Sequence, residues 1–371
     1  MSSHPHPTVA PAASGLGLPG HLDRRRVLRQ VALIAVVVIV VVVVIALLPG
    51  LGSLRARFSQ AQPGWLGLGA ALKVLSMLSY VVLFRAVFCR HMIWRASSEI
   101  AFSELGANAV IPAGGAGGLA LGAWALRRGG MSAQRIARRT IAFFLITSAV
   151  NVIALIIVGV GLAGGLLTGT GVSLVLTLVP AVVAALAIAV AIAVGRVAHR
   201  IVAAIEARHP GWHPRIAKAI GVLGDGIDET LSLIREHNRS VVVGAVGYLV
   251  FDVMLVWAVF HAFGHAPPLG IVWIGYLIGQ LGGILPLPGG VGGVDGGLIA
   301  TYTVYGVPVG TAAAAVLSYR VIALVIPATL GMVAFVSLRR RVRREGEHLA
   351  VCPDGSQVDV GLGRVTSGVA G

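Results

Sequence analysis

The sequence predicts an all-α polytopic membrane protein, organised as an inverted-topology repeat with two opposed re-entrant helical hairpins. Three observations carry that reading. Apolar runs of bilayer length alternate with arginine clusters. Two Pro/Gly-rich breaks interrupt apolar segments, and Gly114-Gly115-Ala116-Gly117-Gly118 aligns without a gap on Gly289-Gly290-Val291-Gly292-Gly293, 175 residues later. Arginines flank the first interrupted segment at both ends, whereas the second has no Arg or Lys at either flank.

Hydrophobic residues make up 57% and charged residues 12% of the 371 positions, where an ordinary soluble domain carries roughly 25% charged residues. The net charge of +15 is almost all arginine at the ends of apolar runs. That pattern anchors and orients spans, so membrane lipids are the expected partner and nucleic acid is not. Cys89 and Cys352 suggest neither a disulfide framework nor a metal site.

Residues 1–23 have the Ser/Pro/His/Gly/Ala-rich composition of a disordered tail. The first membrane half is 24–195. It opens with Arg24-Arg25-Arg26 and the apolar run Val31 to Leu48, which as a helix at about 1.5 Å per residue is long enough to cross the hydrocarbon core. No small-residue cleavage pattern stands at Pro49-Gly50-Leu51, so the run reads as a retained anchor with the N-terminus inside. The run Trp65 to Phe88 returns to the inside, where Arg90 and Arg95 follow.

The segment 98–126 carries Glu99, Glu104 and a break at 113–118, and Arg127 and Arg128 close it. With inside-type charges at both ends it reads as a re-entrant hairpin opening to the cytoplasm. Ordinary spans are expected at 141–164 and 173–195. Residues 196–240 form a cytoplasmic linker in which Ile220, Leu223, Ile227, Leu231 and Ile234 recur three and four apart, the stripe of an amphipathic helix.

The second half, 241–338, repeats the pattern with a span at 241–263, a hairpin at 268–305 opening from the outside, and a last span at 309–337. Arg339-Arg340-Arg341 fixes its end inside, and 339–371 is a cytoplasmic tail. The expectation is six full spans and two hairpins in a cell inner membrane, with both termini cytoplasmic.

The breaks are the functional pointers. Pro112, Gly114 and Gly115 in the first, and Pro286, Pro288, Gly289, Gly290, Gly292 and Gly293 in the second, stop a helix inside apolar sequence. Irregular backbone at membrane depth is tolerated only where protein or a wet cavity surrounds it.

Ionisable groups deep in apolar segments mark pathways. Asp252 and Arg320 each lie about eleven residues into a span, with Tyr319 beside the arginine, and their matching depth invites a pairing. Asp295 follows the second break, where it either caps the half-helix or lines a polar cavity. Gln280 is a lining candidate in the same hairpin, and Glu104 plays the similar part in the first, while Glu99 reads as an exposed interfacial charge. Arg127 is placed to attract a lipid phosphate or to orient its hairpin. Pro180 and Pro327 would kink their helices. The small residues Ala314, Ala315 and Ser318 suit either an internal contact or a homo-oligomer. No His-Glu-x-x-His, Gly-x-Ser-x-Gly or Walker lysine occurs, so no catalytic residue, metal or cofactor is expected.

The run Leu287-Pro288-Gly289-Gly290-Val291-Gly292-Gly293-Val294-Asp295-Gly296-Gly297, followed by Tyr305-Gly306-Val307-Pro308, resembles the signature of the lysylphosphatidylglycerol synthase transmembrane-region family. These are flippase-like integral membrane proteins, found alone or as the membrane half of the multiple peptide resistance factor. The resemblance covers about residues 25–340. It implies a bacterial inner-membrane protein with inverted repeats and re-entrant helices that moves a lipid, such as an anionic or aminoacylated phospholipid, between leaflets.

Two features depart from the family pattern. The acidic residue and arginine usual after the first break are replaced in Gly117-Gly118-Leu119-Ala120-Leu121, and Asp295 stands where an arginine-glutamate or a lone glutamate is common. No segment after residue 344 is long enough for the soluble aminoacyl-transferase domain, so lysylphosphatidylglycerol synthesis is not expected. A non-transporting scaffold or regulator of a lipid-modifying enzyme, and a secondary transporter of a small polar solute, stay open beside the lipid-moving reading.

Overall fold

The computed structural model describes residues 60–110, 116–165, 214–235, 239–264, 266–280 and 293–344, with scattered helical positions between 175 and 197. Among these residues the regular structure is helical. The helices are α1 (Pro63–Phe88), α2 (Trp94–Val110), α3 (Ala116–Arg128), α4 (Ala133–Ala163), α5 (Pro214–Arg235), α6 (Arg239–Ala262), α7 (Leu269–Gly279), α8 (Gly293–Val304) and α9 (Val309–Arg344). Four of them, α1, α4, α6 and α9, are long and apolar enough to cross a membrane. Of the other two expected spans, the run 31–48 lies outside the described residues and 173–195 is described only at scattered positions.

Local chemistry explains several boundaries. Pro63 opens α1, where its missing N–H costs nothing. Ser132 caps α4 by accepting from the Arg135 amide at 3.4 Å. Gly130 and Gly306 adopt positive φ in the turns that follow α3 and α8. Pro327 is accommodated inside α9, which runs on without a break.

The element order repeats. α1, α2, α3 and α4 begin at Pro63, Trp94, Ala116 and Ala133, and α6, α7, α8 and α9 begin at Arg239, Leu269, Gly293 and Val309, offsets of 176, 175, 177 and 176 residues. The first helices of the two sets, α1 and α6, form the most extensive helix pair in the molecule and run antiparallel. The Gln62 amide donates to the Ala262 carbonyl at 2.9 Å at one end, and Gly244 lies against Leu83 at the other.

Each helical hairpin sits in its own apolar core. The hairpin α2–α3 packs with Tyr80 to Phe88 of α1 and with Val241 and Ala245 of α6. The hairpin α7–α8 packs with Leu249 to Phe260 of α6 and with Ala312 to Tyr319 of α9. Because α1 and α6 are antiparallel, the hairpins occupy opposite ends of this central pair. Ala314 and Ala315 are fully buried within the chain, so that small-residue face makes an internal contact.

The amphipathic linker helix is α5, and it packs on α4, with Gly226 against Ile141 and Arg139 paired to Glu229 at 2.8 Å.

Two close approaches set the packing. A Cβ on Gly244 would lie 2.6 Å from the Leu83 amide nitrogen, and a Cβ on Gly106 of α2 would lie 2.7 Å from the Gly331 Cα of α9. Helices without a hydrophobic driving force between them depend on such contact. Gly244→Val should therefore push α1 and α6 apart and cost about 1–3 kcal/mol, the range for overpacking a tight site. Gly64→Ala, whose added Cβ meets nothing within 4 Å, should leave thermal unfolding in detergent unchanged.

Candidate functional site

A lone buried carboxylate in apolar surroundings is costly, so its partners define the site around it. Asp252, mid-way along α6, is buried and salt-bridged to Lys73 of α1 at 2.6 Å. Ser76 donates to the same oxygen at 3.1 Å, Tyr276 of α7 donates to the other at 2.8 Å, and the Tyr319 hydroxyl of α9 lies 3.5 Å away. A carboxylate offers about four lone-pair positions. Asp252 therefore ties α1, α6, α7 and α9 together with its acceptor capacity used.

The polar file continues toward the first hairpin. Ser76 also donates to the Tyr248 carbonyl at 3.2 Å, and the Tyr248 and Tyr80 rings are 5.4 Å apart. The carboxyl of Glu104, buried over Gly122 of α3, lies near the Tyr80 hydroxyl. Asn108 accepts from the Gly118 amide at 2.8 Å, satisfying one of the open N–H groups that begin α3. The file thus joins Tyr276 in one hairpin to Glu104 in the other through the centre of the bundle.

A second charged pair sits at the other hairpin arm. Asp295 falls in the first turn of α8, and Arg320 of α9 places its Nε 2.9 Å from the Asp295 Oδ1. Their side chains retain 13% and 16% exposure, against 7% for Asp252. An acidic group at a helix N-terminus also faces the positive end of the macrodipole.

This pairing corrects the one that depth suggested. Asp252 pairs with Lys73 rather than Arg320, and Arg320 pairs with Asp295. Equal depth puts two charges at one level of the bundle, but the azimuth of each helix decides which of them meet. Lys73 was the missed residue. An ammonium ten residues into an apolar span is as strong a signal as Asp252, and the same rule would have found it.

Glu99 is a second correction. It is buried, accepts from Arg341 at 2.8 and 3.2 Å and from Ser337 at 2.7 Å, and lies 3.5 Å from Arg95. Its partners are some 240 residues away in sequence, on α9, and that contact is what buries it.

The remaining candidates separate. Gln280 caps the C-terminal end of α7 and is half-buried, while Arg127 is exposed in the last turn of α3. Gly293 is buried at the start of α8. Pro112, Gly114, Gly115, Pro286, Pro288, Gly289, Gly290 and Gly292 lie outside the described residues.

Comparison with known proteins bears on this arrangement of hairpins and buried charges. The family model for the lysylphosphatidylglycerol synthase transmembrane region matches residues 32–331. The chain belongs to that family. It is accordingly a multi-pass membrane protein of a flippase-like family, as the Pro/Gly signature implied. It is also similar to a UPF0104 membrane protein, MJ1595, of Methanocaldococcus jannaschii, at 28% identity over 97 residues. That match spans 26% of this chain and 29% of the relative's length.

Removing one partner of a buried pair strands the other charge, which costs about 3–5 kcal/mol. Asp252→Asn and Lys73→Met should each lower unfolding stability in detergent by that order. The double variant should recover much of the loss, and the coupling energy of the double-mutant cycle measures it.

Proposed function

We propose that this chain moves a phospholipid or related lipid between the leaflets of the cell inner membrane. In this reading its two halves, joined by the α5 linker, form an inverted repeat with opposed re-entrant hairpins. The constant offset between the two sets of helices and the antiparallel α1–α6 pair support the repeat. Orientation follows the arginines at 24–26, 127–128 and 339–341, with both termini cytoplasmic.

The observation that carries the proposal is the Asp295–Arg320 pair. It joins a hairpin arm to the last span and is less enclosed than Lys73–Asp252. A phosphodiester and a carboxylate compete for the same guanidinium, each matching its fork of donors. An arriving anionic head group exchanges with Asp295 on Arg320, which releases α8 from α9, and the returning Asp295 displaces the lipid again. Tyr319, next in sequence to Arg320, links this exchange to the Asp252 core. In that scheme Lys73–Asp252 is the fixed frame and Asp295–Arg320 the part that changes partner. The first hairpin has Glu104 as its buried acid and no charge at Leu119, Ala120 or Leu121, so the exchange site lies in the second half.

Reconstitution in liposomes with head-group-labelled anionic lipid, followed by dithionite quenching, tests this. Exchange should exceed that of protein-free liposomes, and Arg320→Gln and Asp295→Asn should each slow it roughly tenfold, about 1.4 kcal/mol. The charge-swapped double variant Asp295→Arg/Arg320→Asp keeps a salt bridge but moves the cation. It should stay slow, and recovery there would make the pair a structural strut. No exchange with folded wild type would favour the scaffold reading. The inverted repeat has its own check. In a background lacking Cys89 and Cys352, a membrane-impermeant maleimide should reach Ala113→Cys from the cytoplasmic side and Val291→Cys from the outside.

A further inference from the structure

Where α2 begins and α9 ends, the two helices leave an open groove of about 610 Å³. Met332, Val333, Val336 and Ser337 line it from α9, followed by Arg340 and Arg341, with Arg95 and Glu99 facing them from α2. On α9 these positions recur at helical spacing and form one stripe, apolar first and cationic last. Met332 to Arg340 is eight residues, about 12 Å of helix rise. That is the scale on which acyl chain gives way to head group in a bilayer leaflet.

The charges in this groove do not cancel. Glu99 is occupied by Ser337 and Arg341, at 2.7 and 2.8 Å. Arg95 lies 3.5 Å from Glu99 with its side chain 76% exposed, and Arg340 is exposed as well. Arg95 also stands in the first turn of α2, where the macrodipole disfavours a cation. Its charge there works against the helix. An anion at this spot would instead meet the α2 N-terminus and two guanidinium groups together. Val333 and Val336 are themselves 70% and 42% exposed, an apolar floor that suits hydrocarbon.

We propose that this groove binds an anionic phospholipid, its phosphate between Arg95 and Arg340 and its first acyl segment along Met332, Val333 and Val336. The site lies apart from the Asp295–Arg320 pair and holds whether or not the chain moves lipid between leaflets. Leaflet exchange is therefore not the readout.

The test uses the full chain in neutral detergent, titrated with phosphatidylglycerol or with phosphatidylcholine of the same acyl chains, retained lipid being counted by native mass spectrometry. Wild type should keep phosphatidylglycerol in preference to phosphatidylcholine. Arg95→Gln/Arg340→Gln, both at exposed positions that leave the fold intact, should reduce phosphatidylglycerol retention about tenfold and leave phosphatidylcholine unchanged. The control pair Arg90→Gln/Arg339→Gln removes two exposed charges outside the groove and should retain phosphatidylglycerol like wild type. Equal losses in both double variants would overturn the site in favour of diffuse surface charge. Displacement of the lipid by equimolar inorganic phosphate would overturn it in favour of a simple anion site.

Discussion

The Lys73–Asp252 salt bridge is the constraint on which the rest of the bundle depends. Two ions in an apolar interior are stable only if their charges meet and every remaining lone pair is filled. Meeting that condition fixes the rotation of α1 against α6, and it draws Tyr276 and Tyr319 in from α7 and α9. The second hairpin is thereby registered against the central pair by a carboxylate rather than by shape alone. The first hairpin is reached through the same file, by way of Tyr248, Tyr80 and Glu104.

The two hairpins are held differently, even though their helices follow the same order. The first is tied to the far part of α9 twice, by the backbone contact of Gly106 with Gly331 and by Glu99 with Ser337 and Arg341. The second meets the early part of α9 through Asp295 and Arg320. At 36 residues, about 54 Å, α9 is longer than a bilayer is thick and touches both hairpins along its length. Backbone contact and a bidentate arginine make the first attachment rigid. The second is joined to α9 by the Asp295–Arg320 ion pair, placed next to the segment broken by prolines and glycines.

Much of this architecture was legible in the sequence because its causes are local. Apolar length, arginine position and helix-breaking residues each act within one segment, so the helices at 63–88, 239–262 and 309–344 and both interrupted segments could be read from them. Asp252, Asp295 and Arg320 could be picked out as well, because the cost of a charge in hydrocarbon is a property of the residue and its depth. Which charge faces which is not a property of depth. Lys73 meets Asp252 across 179 residues, and Arg341 buries Glu99 across 242. Only the rotation of packed helices about their axes makes those pairs.

By itself the sequence determined an all-helical membrane chain and the residues too costly to bury alone. The tertiary structure decided their partners. It matched Asp252 to Lys73 and Asp295 to Arg320, turned Glu99 from a surface charge into a buried clamp, and seated the hairpins at opposite ends of α1 and α6. The reason is physical: a hydrophobic run states how far a helix extends, whereas the close approach at Gly244, Gly106 and Gly331 states which faces touch, and ion pairs form only between faces that do.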